Sequence, residues 1–127
     1  MRIVTIVSTR LAAGLLLLSP ALHAAPVAPP VRAEIDALLQ TLATSGCQFN
    51  RNGRWYGADD AKAHLLRKLE YFENKDAVKT TEQFIDLAAS TSSTSGKAYA
   101  VKCGDGAAVE SRAWLTGQLK LLRTNRR

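Results

Sequence analysis

Apolar residues recur at helical spacing in four places along the chain. Ile35, Leu38, Leu39 and Leu42 fall at i, i+3, i+4 and i+7, which predicts an amphipathic helix over 31–44. Glu34 and Asp36 near its start suit the positive end of the helix dipole, and Ser45-Gly46 stops it. Ala61, Leu65, Leu69 and Phe72 predict a second helix over 58–74, with Gly57 as N-cap and Asp59 and Asp60 in the first turn. Thr80 followed by Gln83 carries the signature of a capping box. It opens a third helix over 81–89, with Phe84, Leu87 and Ala88 inward. Trp114, Leu115, Leu119 and Leu122 define the inner face of a fourth helix over 109–123.

Between these stripes the period drops to two. Cys47 and Phe49 alternate with Gln48 and Asn50, and Asn52-Gly53 is the strongest short turn signal in the chain. Arg54-Trp55-Tyr56 then reads as the return strand of a small hairpin. Lys97–Cys103 predicts a further strand, with Tyr99 and Val101 on one face and Ala98, Ala100 and Lys102 on the other. The hydroxyl run Ser90–Ser95 that precedes it is short and reads as an ordered loop, and Gly104-Asp105-Gly106 as a turn. The predicted fold class is α+β: about four helices packed on a small antiparallel β element, in the order α-β-α-α-β-α.

The N-terminus follows a different logic. Met1–Arg10 carries two arginines, Leu11–Leu18 is apolar, and Ala24-Ala25 are small. That succession predicts a signal peptide over 1–24. Its apolar part is shorter than the roughly 20 residues of a membrane span. Residues 25–30 form a proline-rich spacer expected to lie outside regular helix, and 31–127 a single domain. The expected destination is the periplasm or the exterior, with membrane contact only through the signal peptide. Removing Arg2 and Arg10 leaves 15 of the 17 basic residues against 11 acidic ones, a net charge of +4 instead of +6. So mild a charge argues against nucleic acid as a partner; the partner expected is an envelope component or another protein, and the chain a monomer.

Export gives the two cysteines a meaning. They permit one intramolecular pairing, Cys47–Cys103, and antiparallel strands would bring the start of one to the end of the other. A bridge closing so long a loop is worth about 4 kcal/mol. The spacing is not C-x-x-C, and no His/Cys cluster suits a metal. Neither metal nor cofactor is expected.

Several short motifs now line up in order. They are Cys47-x-Phe49-x-Arg51-Asn52-Gly53-x-x-Tyr56, His64-Leu65-x-x-Lys68-x-x-Tyr71, Thr80-x-Glu82-x-Phe84-Ile85, Ser92-Ser93-x-Ser95-Gly96-x-x-Tyr99-x-Val101-x-Cys103 and Ser111-x-x-Trp114-Leu115. Together they resemble the YfeK-like family of exported bacterial proteins, a domain of unknown function. The resemblance implies export and a small α+β domain, and it carries no assigned activity or site.

The remaining candidate chemistry is polar. His64, Lys68 and Tyr71 form a line beside the apolar stripe of the second helix. Short connections predict that this line, Arg51 and the loop Ser92–Gly96 share one electropositive face. The ligand-binding candidates are Arg51, His64, Lys68, Tyr71, Ser92, Ser95 and Lys97. The leading functional reading is a non-catalytic exported binding or accessory module. One alternative is a small hydrolase or transferase using His64 with Ser93 or Ser95, although the chain has no G-x-S-x-G elbow. Another is use of Ser95-Gly96-x-x-Tyr99 in the manner of the Ser-Gly-x-x-Tyr loop of exported lysozyme inhibitors, an analogy independent of fold. Ser95-Gly96-Lys97 lacks the first glycine of a phosphate loop and precedes a strand, not a helix. The basic tail Arg123, Arg126 and Arg127 is expected to complement the end of the last helix.

Overall fold

A computed structural model describes residues 4–5, 9, 11–18 and 26–126. The expected cleavage point after Ala24 and the terminal Arg127 lie outside the described residues. Four helices pack against one antiparallel sheet, in the order α1 (Pro29–Thr44), β1 (Gln48–Arg51), β2 (Arg54–Tyr56), α2 (Ala58–Asn74), α3 (Thr81–Ala88), β3 (Ala100–Lys102), β4 (Val109–Glu110) and α4 (Ser111–Asn125). No helix among the described residues is long and apolar enough to cross a membrane.

Helix α1 starts at Pro29, inside the segment expected as spacer. Proline is tolerated in the first turn, where its missing N–H has no partner to lose. Val27, ahead of it, is already buried. The earlier start moves Glu34 and Asp36 out of the first turn, so the expected dipole role does not hold. Glu34 instead pairs with Arg123 at 2.8 Å and Arg126 at 2.9 Å, which ties the last helix to the first. Arg123 lies in the last turn of α4, where a basic residue is expected, and it also reaches Glu82. Ile35, Leu38, Leu39 and Leu42 are buried, as their spacing predicts.

The sheet order is β2-β1-β3-β4. Asn52 and Gly53 take φ of 52° and 83°, the left-handed pair that a two-residue hairpin needs, and Arg51 faces Arg54 across it. β1 pairs with β3 in the register Gln48↔Lys102, Phe49↔Val101, so Cys47 and Cys103 fall opposite each other just beyond the last pair. They are disulfide-bonded, with Cα atoms 4.2 Å apart.

Three expectations shift. Val109–Glu110 is not the start of α4 but strand β4, whose Val109 pairs with Val101. On α3 the buried positions are Thr81, Phe84, Ile85 and Ala88, while Leu87 is 39% exposed: a helix of eight residues has room for only one stripe. Its capping box is present, Gln83 N donating to Thr80 Oγ1 at 3.1 Å. Strand β3 begins at Ala100 rather than Lys97, because the residues before it bond to their own loop. Tyr99 N donates to Ser90 O and Ser92 N to Lys97 O, both at 2.9 Å, and closing this loop consumes the groups a longer strand would offer. Tyr99 and Val101 nevertheless point inward, against Phe49. Trp114 and Leu122 lie partly buried at the margin of the core, and Leu115 and Leu119 at its centre.

Candidate functional site

Two turns of α2 place His64, Arg67, Lys68 and Tyr71 at i, i+3, i+4 and i+7. This line faces the loop that runs from Ser90 to Tyr99. The loop has its own internal logic. Ser92, buried, accepts from the amides of Thr94 and Ser95, and Gly96 N donates to Ser92 O at 2.9 Å. Gly96 takes a φ of 72°, which lets the chain reverse there. Asn52, at the tip of the β1–β2 hairpin, anchors the loop from outside. Its Nδ2 donates to Ser92 Oγ at 3.2 Å, and its Oδ1 accepts from Ser95 Oγ at 2.5 Å.

Lys68 is the centre of the arrangement. It is only 8% exposed, and its Nζ donates to Thr91 O at 2.7 Å and to Tyr99 Oη at 3.1 Å. The same Tyr99 hydroxyl is hydrogen-bonded to His64 Nε2 at 3.1 Å. Tyr99 thus has its ring in the core and its hydroxyl in the site. Arg51, at the end of β1, lies 5.1 Å from the centroid of the Tyr56 ring. None of Arg51, Arg67 and Lys68 forms an ion pair among the described residues, which include all 11 aspartates and glutamates.

Two adjoining cavities open over this cluster. One, of about 250 Å³, is lined by Arg51, Asn52, His64, Lys68 and Tyr99 with Ser92–Thr94. The other, of about 340 Å³, is lined by His64, Arg67, Lys68, Tyr71 and Ser93. His64, Lys68 and Ser93 belong to both, so the two form a continuous groove. A third cavity, of about 320 Å³, lies between α3 and α4. Its arginine, Arg123, is already bound by Glu34 and Glu82, so we place the chemistry in the groove on α2.

The electrostatics follow from burial and from the surplus of cations. Desolvation, then Arg51, Lys68 and Arg67, holds the His64 imidazole down to about 4. Desolvation, with Arg51 adding to it, also lowers Lys68 below the usual lysine range. Burial pushes the Tyr99 phenol up. At neutral pH the His64 imidazole is therefore neutral and the Tyr99 phenol keeps its proton, with Arg51, Arg67 and Lys68 lining the groove beside them. Such a set can hold acceptor groups of a ligand.

The groove gathers Arg51, His64, Lys68, Tyr71, Ser92 and Ser93 as lining residues. Ser95 stands beside it, its hydroxyl given to Asn52. Lys97 is exposed and lines neither cavity. Among the described residues no serine is hydrogen-bonded to His64: its Nε2 is bonded to Tyr99 and Ser95 is bonded to Asn52, while Ser93 lines both cavities beside the ring. Nor can Tyr99 serve in an exposed inhibitory loop, being 2% exposed. Arg67 and Asn52 join the groove in addition to the expected residues. Arg67 completes the 64–67–68–71 stripe and could have been found from it, whereas Asn52 carried only a turn signal. No cluster of metal-ligating side chains occurs among the described residues.

Comparison with known proteins gives a family without an activity. The chain is 43% identical over 68 residues to the uncharacterized protein YfeK of Salmonella typhimurium, a match covering 53% of this chain and 55% of that protein. The match thus spans about half the length of the relative. No solved structure matches the chain. A family model described as a family of unknown function, DUF5329, matches residues 29–123, from the first residue of α1 to the arginine that ties α4 to α1. By that match the chain belongs to the DUF5329 family.

Proposed function

We propose that this protein is an exported, non-catalytic binding or accessory module of the cell envelope, and that the α2 groove holds the carboxylate or phosphate of its ligand. The observation that carries the reading is Lys68. A nearly buried ammonium without a carboxylate partner among the described residues, close enough to Arg51 to be repelled by it, is costly to fold. A desolvated lysine beside a second cation in a cleft marks a candidate ligand site, which an anion would complete. Export is the finer part of the proposal. It rests on the succession of charged, apolar and small residues in 1–24, and a disulfide-bonded domain fits an oxidising compartment.

A thermal-shift screen tests the ligand. Phosphate, acetate and acidic envelope glycans are titrated against the wild type and against Lys68→Met and Arg51→Ala. A true ligand at a hundredfold excess over its Kd stabilises by about 2.7 kcal/mol, and both variants should lose that gain. A screen in which no anion stabilises the wild type, or in which both variants respond as the wild type does, rejects the groove as the site. N-terminal sequencing of the protein from the periplasm tests export: a mature start at Ala25 is expected, and retention of Met1 in the cytoplasm would refute it.

A further inference from the structure

The hydrogen bonds around Tyr99 constrain where the His64 proton sits. A lysine ammonium has donors and no acceptor, so in the Lys68–Tyr99 contact the phenol oxygen accepts. Tyr99 is buried, and its one O–H proton needs a partner. The group within reach is His64 Nε2, at 3.1 Å. For that bond to form, Nε2 must be the unprotonated nitrogen. The neutral ring then carries its proton on Nδ1. That nitrogen has no protein partner among the described residues, and His64 lines both halves of the groove.

We propose that the Lys68–Tyr99 pair locks His64 in the Nδ1–H tautomer, and that this N–H donates to an ionised carboxylate or phosphate held between Arg51 and Lys68. The inference rests on the anion-binding reading above and adds what sets its specificity. The cationic side chains and the neutral N–H that converge there are all donors. A ligand presenting an N–H or O–H at that point meets another donor and is disfavoured, because one of the two is left unpaired. The ligand oxygen that meets this N–H is thus an ionised one that carries no proton. The low proton affinity of His64 keeps the ring a neutral donor across the physiological range.

Long-range ¹H–¹⁵N spectra of the uniformly labelled protein read the tautomer directly, since protonated and unprotonated ring nitrogens resonate far apart. His64→Gln confirms the assignment, His64 being the one histidine after Ala25. The expected result is an Nδ1–H ring in the wild type whose Nδ1 signal moves on adding inorganic phosphate. Tyr99→Phe should release the tautomer and weaken phosphate about tenfold, the usual loss for one hydrogen bond to a charged group. Lys68→Met provides a second route, because a phenol freed from the ammonium can accept from Nε2–H; the lock should loosen there as well. An Nε2–H ring in the wild type overturns the inference, and phosphate binding seen alongside it leaves the anion-binding reading standing. An Nδ1–H ring with no phosphate binding overturns the donor role together with that reading.

Discussion

Lys68 Nζ stands 3.1 Å from the Tyr99 hydroxyl, and two elements far apart in sequence thereby share one polar contact at the edge of the core. The contact satisfies the ammonium, but it does not neutralise it. Lys68→Met should therefore leave stability within about 1 kcal/mol of the wild type, because removing a desolvated, repelled charge offsets the two lost hydrogen bonds. The same variant should lose anion binding. Urea denaturation checks the first part, and a loss above about 3 kcal/mol would make Lys68 a structural residue instead.

Stability should fall as the pH is lowered from 6.5 to 4. His64 has an ordinary value of 6.5 and is held down to about 4 in the folded protein, first by desolvation and then by Arg51, Lys68 and Arg67, with Tyr99 bonded to its ring. Below 6.5 the unfolded chain takes up a proton that the folded one refuses, so a contribution present above 6.5 is lost through that window. After discounting for solvent around a partly exposed ring, the loss is on the order of 1 kcal/mol. His64→Gln should flatten it. Glu34, held down to about 2 by its hydrogen bond to Arg123, acts lower: its contribution is present above 4.5 and lost as the pH falls through 2. Glu34→Gln should leave the 6.5-to-4 slope in place. If both variants give the wild-type slope, the assignment to His64 is wrong.

Asn52→Gly separates the two roles of Asn52. Glycine keeps the positive φ of the hairpin but loses the bonds to Ser92 and Ser95. The protein should fold with a cost of about 1 kcal/mol. Hydrogen exchange should quicken at Ser92–Gly96 while the amides of Phe49 and Val101 stay protected. Unchanged exchange in the loop would show that its own serine bonds suffice.

Reducing the Cys47–Cys103 bridge should cost about 4 kcal/mol, since 56 positions separate the two cysteines. The bridge sits at the end of the β1–β3 pairing, so its loss should loosen the sheet before the helices. Melting of the Cys47→Ser, Cys103→Ser double variant by circular dichroism tests this. A melting temperature equal to that of the oxidised protein contradicts it.

Residues near one another in the chain largely determined the secondary structure. The α1 stripe, the Asn52-Gly53 turn and the Thr80–Gln83 capping box depend on local spacing and local hydrogen bonds, which a sequence displays directly. Two cysteines allowed a single intramolecular pairing, so even this long-range contact could be read. The neighbourhood of Arg51, His64, Lys68 and the serine loop was also legible, because short connections leave few ways to separate them.

What only the tertiary structure decided are choices between equivalent local options. Val109–Glu110 could extend α4, yet it becomes a strand because Val101 offers it an open edge. Leu87 and Ile85 are equally apolar, and the packing of α3 buries one of them. Glu34 and Arg123 meet across 89 positions, a pairing that no periodicity announces. Tyr99 reads as a core residue and is one, but the depth of its pocket leaves its hydroxyl between Lys68 and His64. Burial and hydrogen bonding of such groups depend on which surfaces the folded chain brings together, and the spacing of residues along the chain does not carry that information.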